Sequence, residues 1–195
     1  SYTDLAKAAA ILKGHTVHPD VSLVVAAGSR QIFSMALRDG IISTLVDAGA
    51  RILECGCGPC VGIGQAPRTN GVSLRTSNRN FKGRSGTLDA SIYLGSPEVA
   101  AISALKGYIT DPITEGVTDV LSQVTEPTNY IIDDNMIIPP SDTTDEVEIV
   151  RGPNIKPMPI NEPLPTTIQA HVSAYRPDNI TTDDITPASA QFSAL

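Results

Sequence analysis

The chain has 195 residues, 41% hydrophobic and 18% charged, with a formal net charge of −7. At roughly 150 residues per domain this is one domain with a sizeable remainder, and the composition excludes a disordered chain, a collagen-like repeat and a disulfide-dense secreted module. No apolar run approaches the roughly 18 residues of a membrane-spanning helix, and with no Trp and 4% aromatics the core must be aliphatic.

Taken in chain order, Tyr2 to Lys13 carries Leu5, Ala8, Ala9, Ile11 and Leu12 near helical spacing and stops at Gly14. Ser22 to Ala27 (SLVVAA) is a short β-branched run ending at Gly28 and suits a buried strand. Arg30 to Arg38 and Ile41 to Ala48 read as helices punctuated by Gly40 and Gly49, and Ala50 to Leu53 as another strand. Val72 to Thr76 and Ala90 to Leu94 are the third and fourth strand candidates. Ser96-Pro97-Glu98 opens a helix to Lys106: Ser caps it, Pro sits where its missing N–H costs nothing, and Gly107 closes it. Strands alternating with helices predict an α/β fold, a layered and mainly parallel sheet with flanking helices. From Pro112 periodicity fades, Arg151 to Pro165 with its five prolines reads as an extended linker, and Ile168 to Ala174 alternates again as a strand of a second domain. The expected division is therefore residues 1–112, 113–166 and 167–195.

Charge follows the same division. Residues 1–111 hold 11 Lys and Arg against 8 Asp and Glu, whereas residues 112–195 hold 3 against 13, which together give the −7. The acidic second part argues against a nucleic-acid partner, since phosphate binding needs a continuous basic surface. The chain begins at Ser1 with no basic or apolar leader, so a cytoplasmic location is expected, and both ends read as those of an excised piece.

All three cysteines lie in Cys55-Gly56-Cys57-Gly58-Pro59-Cys60. Four readings stay open: small buried residues in a turn, a redox dithiol, zinc held with His15 or His18, or an iron–sulfur cluster needing further ligands. No acidic residue occurs between Glu54 and Asp89, while Arg68, Arg75, Arg79, Lys82 and Arg84 supply five cations. The run from Thr76 to Gly86 is crowded with donors, and the Arg fork suits two-point capture of a carboxylate. A thiolate pair followed by such a loop reads as a metal centre beside an anionic small-molecule site; the alternative is a solvated basic face.

Cys57-Gly58-Pro59-Cys60-Val61-Gly62 followed by Thr76-Ser77-Asn78-Arg79-Asn80-Phe81-Lys82-Gly83-Arg84 resembles the paired signature of the aconitase and isopropylmalate isomerase superfamily. Ser91 to Pro112 continues the likeness, Ser1 to Gly14 resembles the segment after that family's Ser-Cys-Thr-Asn motif, and Asp178 to Pro187 resembles the opening of its swivelling C-terminal domain. Residues 113–150 match loosely. The resemblance implies an aconitase-type iron–sulfur domain and a [4Fe–4S] hydro-lyase isomerising citrate and isocitrate through cis-aconitate. The alternatives are a homoaconitase or isopropylmalate isomerase-type enzyme and, in another class, a non-catalytic zinc- or RNA-binding module. It further implies that Cys57 and Cys60 are cluster ligands, with a third cysteine before Ser1, and that Cys55 serves local packing. Asn78, Arg79 and Arg84 match residues at the cluster and the substrate carboxylates, and Asp183 an acidic residue of the swivel segment facing the active site. The family's general-base Ser lies outside the chain. The partners implied are a tricarboxylate substrate and the remainder of the same polypeptide, without membrane or nucleic acid.

Overall fold

The computed structural model describes residues 1–186, the side chains of Thr144 and Asp183 excepted. The helix predicted near the start forms as α1 (Tyr2–Leu12), because Ser1 and Asp4 make a reciprocal capping box that satisfies two otherwise orphaned N–H groups. Strand β1 (Val24–Ala26) leads through α2 (Arg30–Arg38), capped by the Ser29 hydroxyl, and α3 (Ile41–Asp47) to β2 (Arg51–Leu53). Gly40 makes the break between the two helices with φ of 76°, in the left-handed region that a side chain resists. Strands β3 (Val72–Arg75) and β4 (Ser91–Leu94) follow, then α4 (Pro97–Lys106), with the expected Ser96 cap, Pro97 at its start and Gly107 at φ 84°. A single turn, α5 (Thr118–Leu121), completes this part.

Helix α1 packs against α4, α3, α2 and α5. The core between them is aliphatic as the composition requires: Leu5, Ala9 and Leu12 meet Ile42, Leu45, Ala101 and Ile102, all at most 8% exposed. Lys7 ties α1 to α4 through Glu98 at 2.8 Å. At the other side, Asp39 accepts hydrogen bonds from the Tyr2 hydroxyl and from Arg38 Nε, both at 2.7 Å. The Arg38 guanidinium, then the Tyr2 hydroxyl, hold the Asp39 carboxyl down to about 2 from an ordinary 3.8. A carboxylate depressed by folding stabilises the fold above its unfolded value and loses that contribution as pH falls through the folded one. Chemical denaturation of the wild type and Asp39→Asn should therefore differ above about pH 4 and converge towards about pH 2. A pH-independent gap between the two would refute this role.

The described residues hold two parallel ladders, β1 with β2 and β3 with β4, in place of the single layered sheet expected. Val25 pairs with Ile52 in one and Leu74 with Tyr93 in the other. Parallel strands need a crossover of about a dozen residues or more, usually a helix. Helices α2 and α3 provide it for the first ladder, whereas irregular residues 76–90 provide it for the second. Val72, Tyr93 and Leu94 remain 65%, 48% and 58% exposed, so the second ladder lacks the two-sided cover that larger parallel sheets have.

Residues up to Ile132, together with the described residues from Thr182, form one compact unit, and Asp133–Thr181 a second. The second unit is held by local turns, such as Ile137 N–H to Asp134 O at 2.9 Å and Ile155 N–H to Gly152 O at 3.0 Å. The strand expected over Ile168 to Ala174 is absent: these residues are exposed and pair with no strand among the described residues. Alternation marks a face that could be half-buried, but a strand forms only where a partner edge exists. A short turn of helix, α6 (Thr182–Ile185), belongs to the first unit.

Candidate active site

Two loops follow the carboxyl ends of strands, the position where open α/β sheets place their ligands. After β2, Cys57 begins a tight 3₁₀ turn, Gly58–Val61, in which Cys60 N–H donates to Cys57 O at 3.2 Å. Pro59 fits the second position of that turn, where no backbone N–H is needed, and Gly62 ends it at φ 91°. The turn thus brings both cysteines of the motif onto one short arc. All three thiols are free; Cys55 and Cys57 are exposed and Cys60 is half-buried.

After β3 comes the donor-rich loop. Asn78 and Arg79 are exposed just beyond the strand. Arg84 is only 5% exposed and turns toward the cysteines, its Nη2 donating to Cys60 Sγ at 3.4 Å. Its guanidinium also lies over the Phe81 ring, 5.7 Å from the centroid. The next residue, Ser85, is fully buried, and its backbone carbonyl rests against Gly62 so closely that a Cβ there would penetrate it. Thus Gly62 and Arg84 join the two loops, and of the proposed substrate residues the structure brings Arg84 to the thiols while Asn78 and Arg79 stand at the surface.

Two further arginines emerge only in three dimensions. Arg75, at the end of β3, donates from Nη1 to Pro59 O at 2.7 Å and from Nη2 to Gln65 O at 2.6 Å. Burial pushes its guanidinium pKa down, and the neighbouring Cys60 opposes that shift. Arg51, on β2, reaches the carbonyl of Gly64 and the side chain of Gln65. The signal in the sequence was the acid-free basic stretch, but nothing in it separated Arg75 from its neighbours.

The histidines weighed as zinc ligands have other surroundings. His18 N–H donates to Ala104 O at 2.9 Å and its ring packs on Gly107, while His15 N–H donates to Leu12 O at 3.0 Å. Among the described residues no group of three or more His, Cys, Asp or Glu side chains converges on a metal position. The donor set at the turn fits part of an iron–sulfur site: two thiols on one short turn, a cation on one of them, and, in the loop joined to the turn at Gly62, the buried Ser85 hydroxyl without a hydrogen-bond partner. Asp183 lies in α6, and its side chain is outside the described residues. Among the described residues no helix is long and apolar enough to cross a membrane.

Residues 1–107 match the profile of the Aconitase family (aconitate hydratase). The methanogen homoaconitase large subunit of Methanocaldococcus jannaschii is 52% identical over 112 residues, 57% of this chain and 27% of that protein. The 3-isopropylmalate dehydratase large subunit 2 of Archaeoglobus fulgidus is 51% identical over 111 residues, 56% of this chain and 27% of that protein. The mitochondrial homoaconitase of Candida parapsilosis is 37% identical over 201 aligned residues, which cover 97% of this chain and 28% of that protein. The chain thus spans about a quarter of the length of these curated relatives.

Proposed function

The chain belongs to the aconitase family, and from that premise we propose that it forms part of an iron–sulfur hydro-lyase of the homoaconitase type. The relatives are named for homoaconitate or isopropylmalate, which favours these over the citrate–isocitrate reaction expected from the motifs. One observation carries the choice between them. The match covering 97% of the chain, which must include most of the acidic second part, is to a homoaconitase. The 3-isopropylmalate dehydratase and methanogen homoaconitase large subunits match 56% and 57% of the chain alike, so it is the match along nearly the whole chain that supports the homoaconitase reading. The 51% identity of the dehydratase subunit keeps isopropylmalate as the second substrate to assay.

In this reading Cys57 and Cys60 hold the cluster together with a cysteine from another part of the protein. When bound, the cluster supplies a Lewis-acidic iron to the substrate hydroxyl. Everything else is performed by side chains. Arg79 grips a substrate carboxylate from the exposed end of the loop, with a planar fork suited to two-point capture. Arg84 sets positive charge between the thiols and the substrate, where burial makes that charge more effective than it would be in water. Asn78 donates beside the same carboxylate, and Asp183 comes from the swivel segment to the reacting face. The general base is supplied from elsewhere in the protein, as is the domain that closes over the substrate.

The test is iron and acid-labile sulfide analysis of the complete protein, paired with hydration assays on homoaconitate, cis-aconitate and the isopropylmalate-derived enoate. Iron with sulfide, and fastest turnover of homoaconitate, is the expected result. Fastest turnover of the isopropylmalate-derived enoate would favour the second reading. Zinc in place of iron with no hydration would overturn both and leave a binding module.

A further inference from the structure

We propose that Arg75 is a positioning residue for the cluster, bracing the cysteine turn from inside and placing an uncompensated positive charge beside its thiolates. This rests on the iron–sulfur reading above. Arg75 donates to Pro59 O, between the two cysteines, and to Gln65 O, beyond the end of the turn. Its Nε donates to Ser73 Oγ at 3.0 Å, which fixes the side chain along its own strand. The turn is therefore gripped at two points by one planar group, a geometry that Lys cannot reproduce.

The electrostatics point the same way. All three hydrogen-bond acceptors of Arg75 are neutral, and no acidic residue lies between Glu54 and Asp89. A half-buried guanidinium without a carboxylate is costly to keep. Thiolates bound to iron at Cys57 and Cys60 would provide the missing negative charge, so folding of the turn and loading of the cluster favour one another. Arg84 touches one sulfur directly, whereas Arg75 acts through the backbone that carries both.

The experiment compares the complete wild-type protein with Arg75→Gln, Arg75→Lys and Arg68→Gln, each loaded anaerobically with ferrous iron and sulfide. Arg68 is an exposed cation of the same stretch, so its variant removes equal charge without removing the brace. Iron loss to a chelator should be about tenfold faster in Arg75→Gln, the low end of what removing a group behind a metal ligand does. Arg75→Lys should be intermediate and Arg68→Gln like the wild type. In the iron-free proteins, alkylation of Cys60 and proteolysis within residues 57–65 should accelerate only in the Arg75 variants. Iron loss from Arg75→Gln at the wild-type rate would overturn the proposal, as would equal acceleration in Arg68→Gln. Should Arg75→Gln fail to fold, Arg75→Lys decides: iron loss at the wild-type rate overturns the proposal. A wild-type protein that takes up no iron would defeat the iron–sulfur reading itself. The iron-free measurements would then still report separately whether Arg75 holds the turn.

Discussion

Gly62→Ala should disconnect the two loops of the site, lowering stability by about 3 kcal/mol and abolishing cluster loading. Two costs add at this position. With φ at 91°, any side chain is strained, at about 1–2 kcal/mol for the left-handed region. The new Cβ would also overlap the Ser85 carbonyl, a backbone atom that cannot swing aside as the end of a side chain can. Moving Ser85 drags its neighbour Arg84 away from Cys60. Gly64→Ala is the matched control, because Gly64 has φ of 75° but nothing within 4 Å of its Cβ position. It should cost only the backbone strain, about 1 kcal/mol. Thermal midpoints of the two variants, with iron content after reconstitution, check this. Equal losses in both would mean that the Ser85 contact does not matter.

Arg79→Lys should reduce turnover of the complete enzyme about a hundredfold while leaving iron content and thermal midpoint unchanged. Arg79 is exposed, so the fold has little to lose, whereas two-point capture of a carboxylate requires the fork that Lys lacks. Arg84→Lys should behave differently. Arg84 is buried against Phe81 and Cys60, so its replacement should lower stability and cluster retention as well as rate. Steady-state kinetics and melting curves on the two variants separate the roles. Unchanged turnover in Arg79→Lys would remove it from the substrate site.

The contrast between these arginines shows what a linear reading can reach. Arg68, Arg75, Arg79 and Arg84 fall in one acid-free stretch and are chemically alike there. Folding makes Arg84 a buried contact of Cys60, Arg75 a brace of the turn, and leaves Arg79 at the surface. The cysteine spacing, by contrast, carries its own meaning. Residues three apart with Gly and Pro between them suit a tight turn, and here they form one, although the spacing alone left the chemistry of the thiols open.

Local chemistry explains why the helices were legible. Ser1, Ser29 and Ser96 each accept from a backbone N–H in the first turn of their helix, and Gly40 and Gly107 take left-handed conformations at helix boundaries. These interactions span at most four residues, so the sequence contains them whole. The aliphatic core follows as directly from the absence of Trp and the scarcity of aromatics. Strand pairing did not follow in the same way. Ile168 to Ala174 has the alternation of a strand yet no partner edge among the described residues, and β3 meets β4 across an irregular loop that no periodicity announces. The acidic, proline-rich second part was visible from composition alone, because it reflects residue counts and not contacts. The sequence by itself thus determined the four longer helices, α1 to α4, the nature of the core and the two chemical motifs, but not the short α5 and α6. Only the tertiary structure decided which cation faces a thiol and which braces the turn, because Arg84 meets a sulfur 24 residues away and Arg75 carbonyls 10 and 16 residues away, separations that no local pattern encodes.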